Sequence, residues 1–202
     1  MSSESPGTEL LLHLEERLVP RFFQLLQQGF RVKVQAGCTV KSLLCEQLGL
    51  DPEYVERRIK TLFLDGKPVD DIDSAIIRDG STLALSAAMP GLVGAVLRSG
   101  GFFAPMRSTI SHREETRVEH PEEKGMVSLK LFNILLREIG PAFLEQGIWV
   151  HGKNVQNFID GKWDELSTGC KKAVLDGKEV DLKTLSGIKW ADRDVFLVLR
   201  AD

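Results

Sequence analysis

The chain of 202 residues predicts an α+β fold made of two tandem units, each a mixed sheet of about four strands packed on one helix. Two observations carry that expectation. The hexapeptide Asp65-Gly66-Lys67-Pro68-Val69-Asp70 returns as Asp176-Gly177-Lys178-Glu179-Val180-Asp181, identical at five of six positions. The hydropathy patterns on either side of the hexapeptide return with it, which makes the chain read as a duplication.

The first unit opens on Leu10-Leu11-Leu12-His13-Leu14 and continues with Gly29-Phe30-Arg31-Val32-Lys33-Val34, where every second residue is apolar. That period of two marks a half-buried strand. Val40, Leu43 and Leu44 then fall at i, i+3, i+4 and form one face of a helix, with Thr39 placed to cap its first turn. Ile59-Lys60-Thr61-Leu62-Phe63-Leu64 reads as a strand entering the Asp-Gly turn, where glycine takes the positive φ that other residues resist. Ser81-Thr82-Leu83-Ala84-Leu85 closes the unit.

The second unit repeats this order of strand, strand, helix, strand, strand. Its opening strand is Val127-Ser128-Leu129-Lys130-Leu131-Phe132, followed by Gly147-Ile148-Trp149-Val150-His151. Asn154 is placed to cap a helix whose apolar face is Val155, Phe158 and Ile159. Cys170-Lys171-Lys172-Ala173-Val174-Leu175 leads into the second Asp-Gly turn, and Asp194-Val195-Phe196-Leu197-Val198-Leu199 ends the unit. The spacing from Pro20 to Gly29 exceeds that from Pro141 to Gly147, a difference that loops absorb because closure entropy grows slowly with length. The resulting plan is a disordered tail over 1–8, a first domain over 9–91, a bridge over 92–125 and a second domain over 126–202.

With the strands in that order, both halves resemble the small sulfur-carrier proteins of the β-grasp (ubiquitin-like) superfamily, such as the molybdopterin-synthase small subunit and the thiazole-synthesis carrier. The resemblance rests on Phe30-Arg31-Val32-Lys33-Val34 with Ala36-Gly37-Cys38-Thr39-Val40-Lys41-Ser42-Leu43-Leu44, and on Asp79-Gly80-Ser81-Thr82-Leu83-Ala84-Leu85. In the second half it rests on Ser128-Leu129-Lys130-Leu131-Phe132-Asn133-Ile134-Leu135-Leu136-Arg137-Glu138. It implies two tandem β-grasp domains. The family's chemistry belongs to a flexible terminal Gly-Gly whose carboxylate is adenylated and converted to a thiocarboxylate. Here the second half ends Leu199-Arg200-Ala201-Asp202, and the first continues through Met89-Pro90-Gly91-Leu92. Only cleavage after Gly100-Gly101 would create such a tail.

Composition places the chain among ordinary globular proteins, at 43% hydrophobic and 27% charged. A net charge of -3 gives no general attraction to nucleic acid or anionic lipid, and the basic cluster Arg57, Arg58, Lys60 is interleaved with Glu53 and Glu56. Cys38, Cys45 and Cys170 have neither the number nor the spacing of a disulfide framework. Residues 1–20 carry Glu4, Glu9, Glu15 and Glu16 and lack the apolar core of a secretory signal, so a cytoplasmic location is expected. Ser81 to Leu97 is free of charge, yet Pro90, Gly91 and Gly94 interrupt it, and no membrane span is expected.

The bridge is the unusual region. A connector that runs over the surface is normally polar, whereas this one is apolar and glycine-rich through Phe103 and then turns into a charged tether from His112 to Gly125. Something must cover its side chains: the partner half, another subunit or a different protein. The expected function is non-enzymatic protein binding or assembly, with a protein partner or a homo-oligomer contact through residues 89–106. The expected contact residues are Met89, Leu92, Val93, Val96, Leu97, Arg98, Phe102, Phe103 and Arg107. The alternatives are a sulfur-carrier-related role in cofactor biosynthesis, or small-anion binding at the bridge through Arg98 and Arg107, whose forked geometry suits carboxylate or phosphate.

Catalytic, cofactor and metal sites are not expected. Gly91, Gly94, Gly100 and Gly101 lack the Gly-Lys-Ser/Thr ending of a P-loop and the spacing of a dinucleotide fingerprint. His112, Glu115, Glu119 and His120 offer ligand atoms without the short rigid spacing of zinc sites. No residue near Cys38 or Cys45 in sequence marks an activated thiolate. His151 ends a strand as an ordinary exposed or hydrogen-bonded side chain, and no catalytic triad can be assembled.

Overall fold

The computed structural model describes residues 7–107, 111–112, 123–191 and 193–201. In chain order, β1 (Thr8–Leu14) runs through a 3-10 segment, Glu16–Phe22, into α1 (Phe23–Gln28) and β2 (Phe30–Ala36). Then come α2 (Val40–Ser42), a π-helical turn at Leu43–Gln47, α3 (Pro52–Arg58), β3 (Thr61–Leu64), β4 (Lys67–Pro68) and β5 (Thr82–Ser86). The middle holds α4 (Gly91–Leu97), a 3-10 turn at Ala104–Arg107, β6 (Glu123–Leu131), α5 (Leu135–Glu138), α6 (Gly140–Gln146) and β7 (Ile148–His151). The chain ends with α7 (Gly152–Gly169), β8 (Cys170–Leu175), β9 (Lys178–Val180), α8 (Leu182–Gly187) and β10 (Asp194–Ala201).

The eight expected strand segments are present, and each Asp-Gly turn adds a short return strand that was not expected, β4 and β9, but the arrangement overturns the tandem plan. Among the described residues there are ten strands and eight helices, with five strands in each of two compact units, and not two four-stranded β-grasp sheets each on one helix. Two compact units exist, and one of them is discontinuous. It combines Met1–Phe30 with Leu136–Asp202, while Arg31–Leu135 forms the other, inserted unit.

In the discontinuous unit the strand order is β7-β10-β1-β8-β9. The first strand of the chain lies parallel to the last, from Thr8 opposite Val195 to Leu14 opposite Ala201, and antiparallel to β8, with Leu10 opposite Leu175. In the inserted unit the order is β4-β3-β5-β6-β2, and β5 runs parallel to β6 from Thr82 opposite Ser128 to Leu85 opposite Leu131. The reason sequence pattern missed this is physical. Alternation says which residues face the core, and it is silent about which strand lies alongside.

The two Asp-Gly turns make the exchange visible. Asp65 and Gly66 have φ of 50° and 79°, and Asp176 and Gly177 have 49° and 76°. Positive φ at both positions is the two-residue hairpin geometry that favours Asp-Gly. The Asp65 carboxylate accepts the Thr82 N–H at 2.7 Å, and the Asp65 N–H donates to the Thr82 carbonyl at 2.9 Å. Asp176 makes the same reciprocal pair, at 2.8 and 2.9 Å, but with Glu9. The place that β5 fills beside the first turn is filled beside the second by β1, not by β10.

Burial follows the alternation. Leu10, Leu12 and Leu14 of β1 and Val195, Leu197 and Leu199 of β10 are each at most 3% exposed. They share the discontinuous unit's core with Val155, Phe158, Ile159 and Leu166 of α7, and the Phe22 and Phe158 ring centroids lie 4.4 Å apart. Trp190 is fully buried and its indole N–H donates to the Leu185 carbonyl at 2.9 Å, satisfying the one polar atom of that side chain. The inserted unit buries Val40, Leu43 and Leu44 as expected, together with Leu62, Leu64, Leu83, Leu85, Leu129 and Leu131.

Thr39 caps α2 by accepting the Ser42 N–H at 3.1 Å. Asn154 does not cap: α7 begins two residues earlier, at Gly152, behind His151. A Cβ at Gly152 would sit 1.6 Å from the Trp190 carbonyl oxygen, so only glycine lets the helix start there. No described helix is long and apolar enough to cross a membrane.

Candidate functional site

The expected contact residues lie in the inserted unit, on a segment that leaves β5 and folds back on the body of that unit. The Ala87 N–H donates to the Asn133 side chain at 3.1 Å as the strand ends. Gly91, at φ 79°, starts α4. Gly94 is buried, and a Cβ there would lie 2.1 Å from the Met89 carbonyl oxygen, so the fold-back requires a residue without a side chain. Beyond α4, the Ser99 N–H donates to the Lys60 carbonyl at 2.9 Å and the Ser99 hydroxyl donates to the Val69 carbonyl.

Arg107 is the principal anchor. Its side chain is 2% exposed and forks onto Asp70 with contacts of 2.6 and 2.9 Å. Nε donates to the Val96 carbonyl at 2.7 Å, Nη1 to the Ser111 hydroxyl at 2.7 Å, and Nη2 also approaches the Arg98 carbonyl at 3.4 Å. Ser111 in turn donates to Asp70 at 3.0 Å, and the His112 N–H donates to the Pro68 carbonyl at 2.7 Å. A buried guanidinium needs this density of acceptors, since an unpaired charge at the same depth would be costly. Asp70 closes the repeated hexapeptide, so the duplicated turn also latches this segment.

Held this way, the segment directs several large apolar side chains outward. Phe102 is 91% exposed, Met106 74%, Leu92 71% and Val93 70%. The Phe102 and Phe103 rings meet edge to face, with centroids 5.1 Å apart. Met89, Val96 and Leu97 are half-buried, and Arg98 is exposed. Of the expected contact residues, Leu92, Val93, Arg98, Phe102 and Phe103 therefore reach solvent together, while Arg107 points inward. Of the expected charged tether, residues 113–122, with Glu115, Glu119 and His120, lie outside the described residues, while Glu123 to Gly125 already belong to β6 and are not a tether.

Sequence reasoning passed over Asp70 and Ser111, whose role depends on a contact 37 residues away in the first case. It also passed over a cleft of about 620 Å³ in the discontinuous unit. Val19, Phe23, Leu144 and Leu199 line its apolar wall. Glu16, Arg137 and Glu145 also line it and are exposed. These residues come from three distant stretches, and no motif links them. No family model, curated protein or solved structure matches the chain.

The remaining chemistry is quiet. Burial pushes the Cys45 and Cys170 thiols above the ordinary cysteine range, which is the reverse of nucleophile activation. Among the described residues, no three His, Cys, Asp or Glu side chains gather to hold a metal ion. Gly100, at φ 62°, and Gly101 sit in a turn in which the Gly101 N–H donates to the Arg98 carbonyl at 3.2 Å.

Proposed function

We propose that the protein is a non-enzymatic binding or assembly module whose contact surface is the segment from Met89 to Arg107. One observation carries this reading: a segment latched by a buried arginine exposes Leu92, Val93, Phe102 and Met106 at 70% or more. A connector with only a tethering task has no use for that arrangement. Methionine and phenylalanine are enriched at the centres of protein interfaces, where flexible thioethers and flat rings adapt to a partner. Preorganisation by Arg107 lowers the ordering cost at association, which leaves more of the burial energy as affinity. The anion-binding alternative draws less support, because the Arg107 fork is already committed to Asp70, Ser111 and backbone carbonyls.

The test compares the wild type with Leu92→Asp/Phe102→Asp as baits in the source cells. Both substitutions fall on exposed side chains, so the melting temperature should stay within a few degrees. Specific partners, or copies of the chain itself, should be retained by the wild type and lost by the variant. Equal retention by a folded variant would remove this segment as the contact surface.

A further inference from the structure

We infer that the partner of the 89–107 segment is the surface of a lipid bilayer, which receives the segment's apolar tip without being crossed. The inference rests on the binding role just proposed for this segment, and it names the partner. The tip consists of Leu92, Val93, Phe102, Phe103 and Met106, four of them at least 70% exposed. Side chains that stand this clear of their neighbours would need a preformed pocket in a protein partner. A bilayer interface instead closes around them, and it takes apolar groups to a depth of about 5–10 Å.

The chemistry of the tip favours lipid as well. None of its five side chains carries a nitrogen or oxygen atom, whereas protein interfaces hold about one hydrogen bond per 100–200 Å². Backbone that faces lipid has to be satisfied internally. Leu92 and Val93 belong to α4, and in the turns beyond it the Gly101 N–H donates to the Arg98 carbonyl at 3.2 Å and the Met106 N–H to the Phe103 carbonyl at 3.1 Å. Arg107 and Ser99 hold the segment in place, so the tip is exposed before it meets lipid and insertion orders little.

Charge agrees. From Gly80 to His112 the sequence has no aspartate or glutamate, in a chain where 29 acidic residues outnumber 26 basic ones. Its two arginines differ: Arg107 is neutralised by Asp70, while Arg98 is exposed in the turn that leads to Phe102. A cation there reaches headgroup phosphate while the rings sit below it. The chain's net charge of -3 opposes general attraction to anionic lipid, so insertion supplies most of the affinity and Arg98 a modest preference.

Flotation of the full chain with phosphatidylcholine vesicles should show half of it bound near about 0.1 mM accessible lipid, the strength of a single acyl anchor. Adding phosphatidylserine at about one part in four should tighten binding about 5-fold, and Arg98→Gln should remove that gain. Phe102→Asp should weaken binding to either vesicle roughly 10-fold or more. Phe102→Trp should bind like the wild type, and its added emission should shift to the blue and be quenched by phosphatidylcholine brominated in the acyl chains.

A wild type that stays off both vesicles up to about 5 mM lipid would overturn the inference, and the bait comparison would remain a separate test of the segment's contact role. Binding of Phe102→Trp without quenching would overturn it too, since another surface would then be meeting the lipid. Indifference of a folded Phe102→Asp variant would do the same. Equal preference for phosphatidylserine in the wild type and Arg98→Gln would remove the headgroup role of Arg98.

Discussion

The two Asp-Gly turns are nearly identical in sequence and in backbone angles, yet they hold different partners. Asp65 grips Thr82 on β5, a strand that follows it by 17 residues. Asp176 grips Glu9 on β1, 167 residues before it. Local chemistry therefore sets the geometry of the turn, and topology decides which strand receives it. A short aspartate side chain and a main-chain donor are all the interaction needs, and any extended strand at that place supplies the donor. The same motif can serve a local closure in one unit and a long-range closure in the other.

The strongest way to break that comparison is to damage β1. Leu12 is 3% exposed, and Leu12→Ala should cost about 3 kcal/mol through lost transfer energy and a residual cavity. Denaturant titration gives the cost, and amide hydrogen exchange locates it. Protection should fall first in β8 and β10, the two strands that flank β1. A loss centred instead on β3 and β5 would restore a tandem arrangement in which β1 belongs with the first half.

That outcome also marks the limit of what could be read from sequence. Turn chemistry at Asp65-Gly66 and Asp176-Gly177, the cap at Thr39 and the buried faces of β1, β2, β7 and β10 were legible, because each is encoded within a few residues. Strand neighbours were not. Glu9-Leu10-Leu11-Leu12-His13-Leu14 and Val195-Phe196-Leu197-Val198-Leu199-Arg200 are both apolar runs, and either fits a central position. The exposed apolar residues of the 89–107 segment stood out by composition, whereas the Arg107–Asp70 latch and the cleft depend on long-range juxtaposition and left no local trace.

A subtler change sharpens the comparison. Asp65→Ala and Asp176→Ala should each cost about 1 kcal/mol, since each removes a charge-assisted hydrogen bond at an exposed site. The two losses should be similar in size and different in place. Asp65→Ala should accelerate exchange of the Thr82 amide, and Asp176→Ala that of the Glu9 amide. If Asp176→Ala left Glu9 unchanged, the second turn would not be holding β1 at all.

The smallest effect is a pH dependence that again separates the two units. Cys170 begins β8 beside the register irregularity between His13 and Leu14, and its thiol donates to the His13 carbonyl at 3.4 Å. Burial raises the pKa of this thiol, and the Lys172 backbone only partly offsets that shift. In the inserted unit, burial likewise raises Cys45, opposed by the charge of Lys41. For either thiol the folded chain holds its proton to higher pH than the unfolded chain, which ionises near the ordinary value of about 8.5. The unfolded state then binds fewer protons, so stability is intact below that value and declines as pH rises from it through the raised native value. Cys170→Ala should flatten the alkaline fall in melting temperature more than Cys45→Ala, because ionisation at Cys170 also removes the donor that meets β1. Equal flattening by the two substitutions would mean that the His13 contact adds nothing, and that the edge of β1 at the irregularity is secured by its backbone ladder alone.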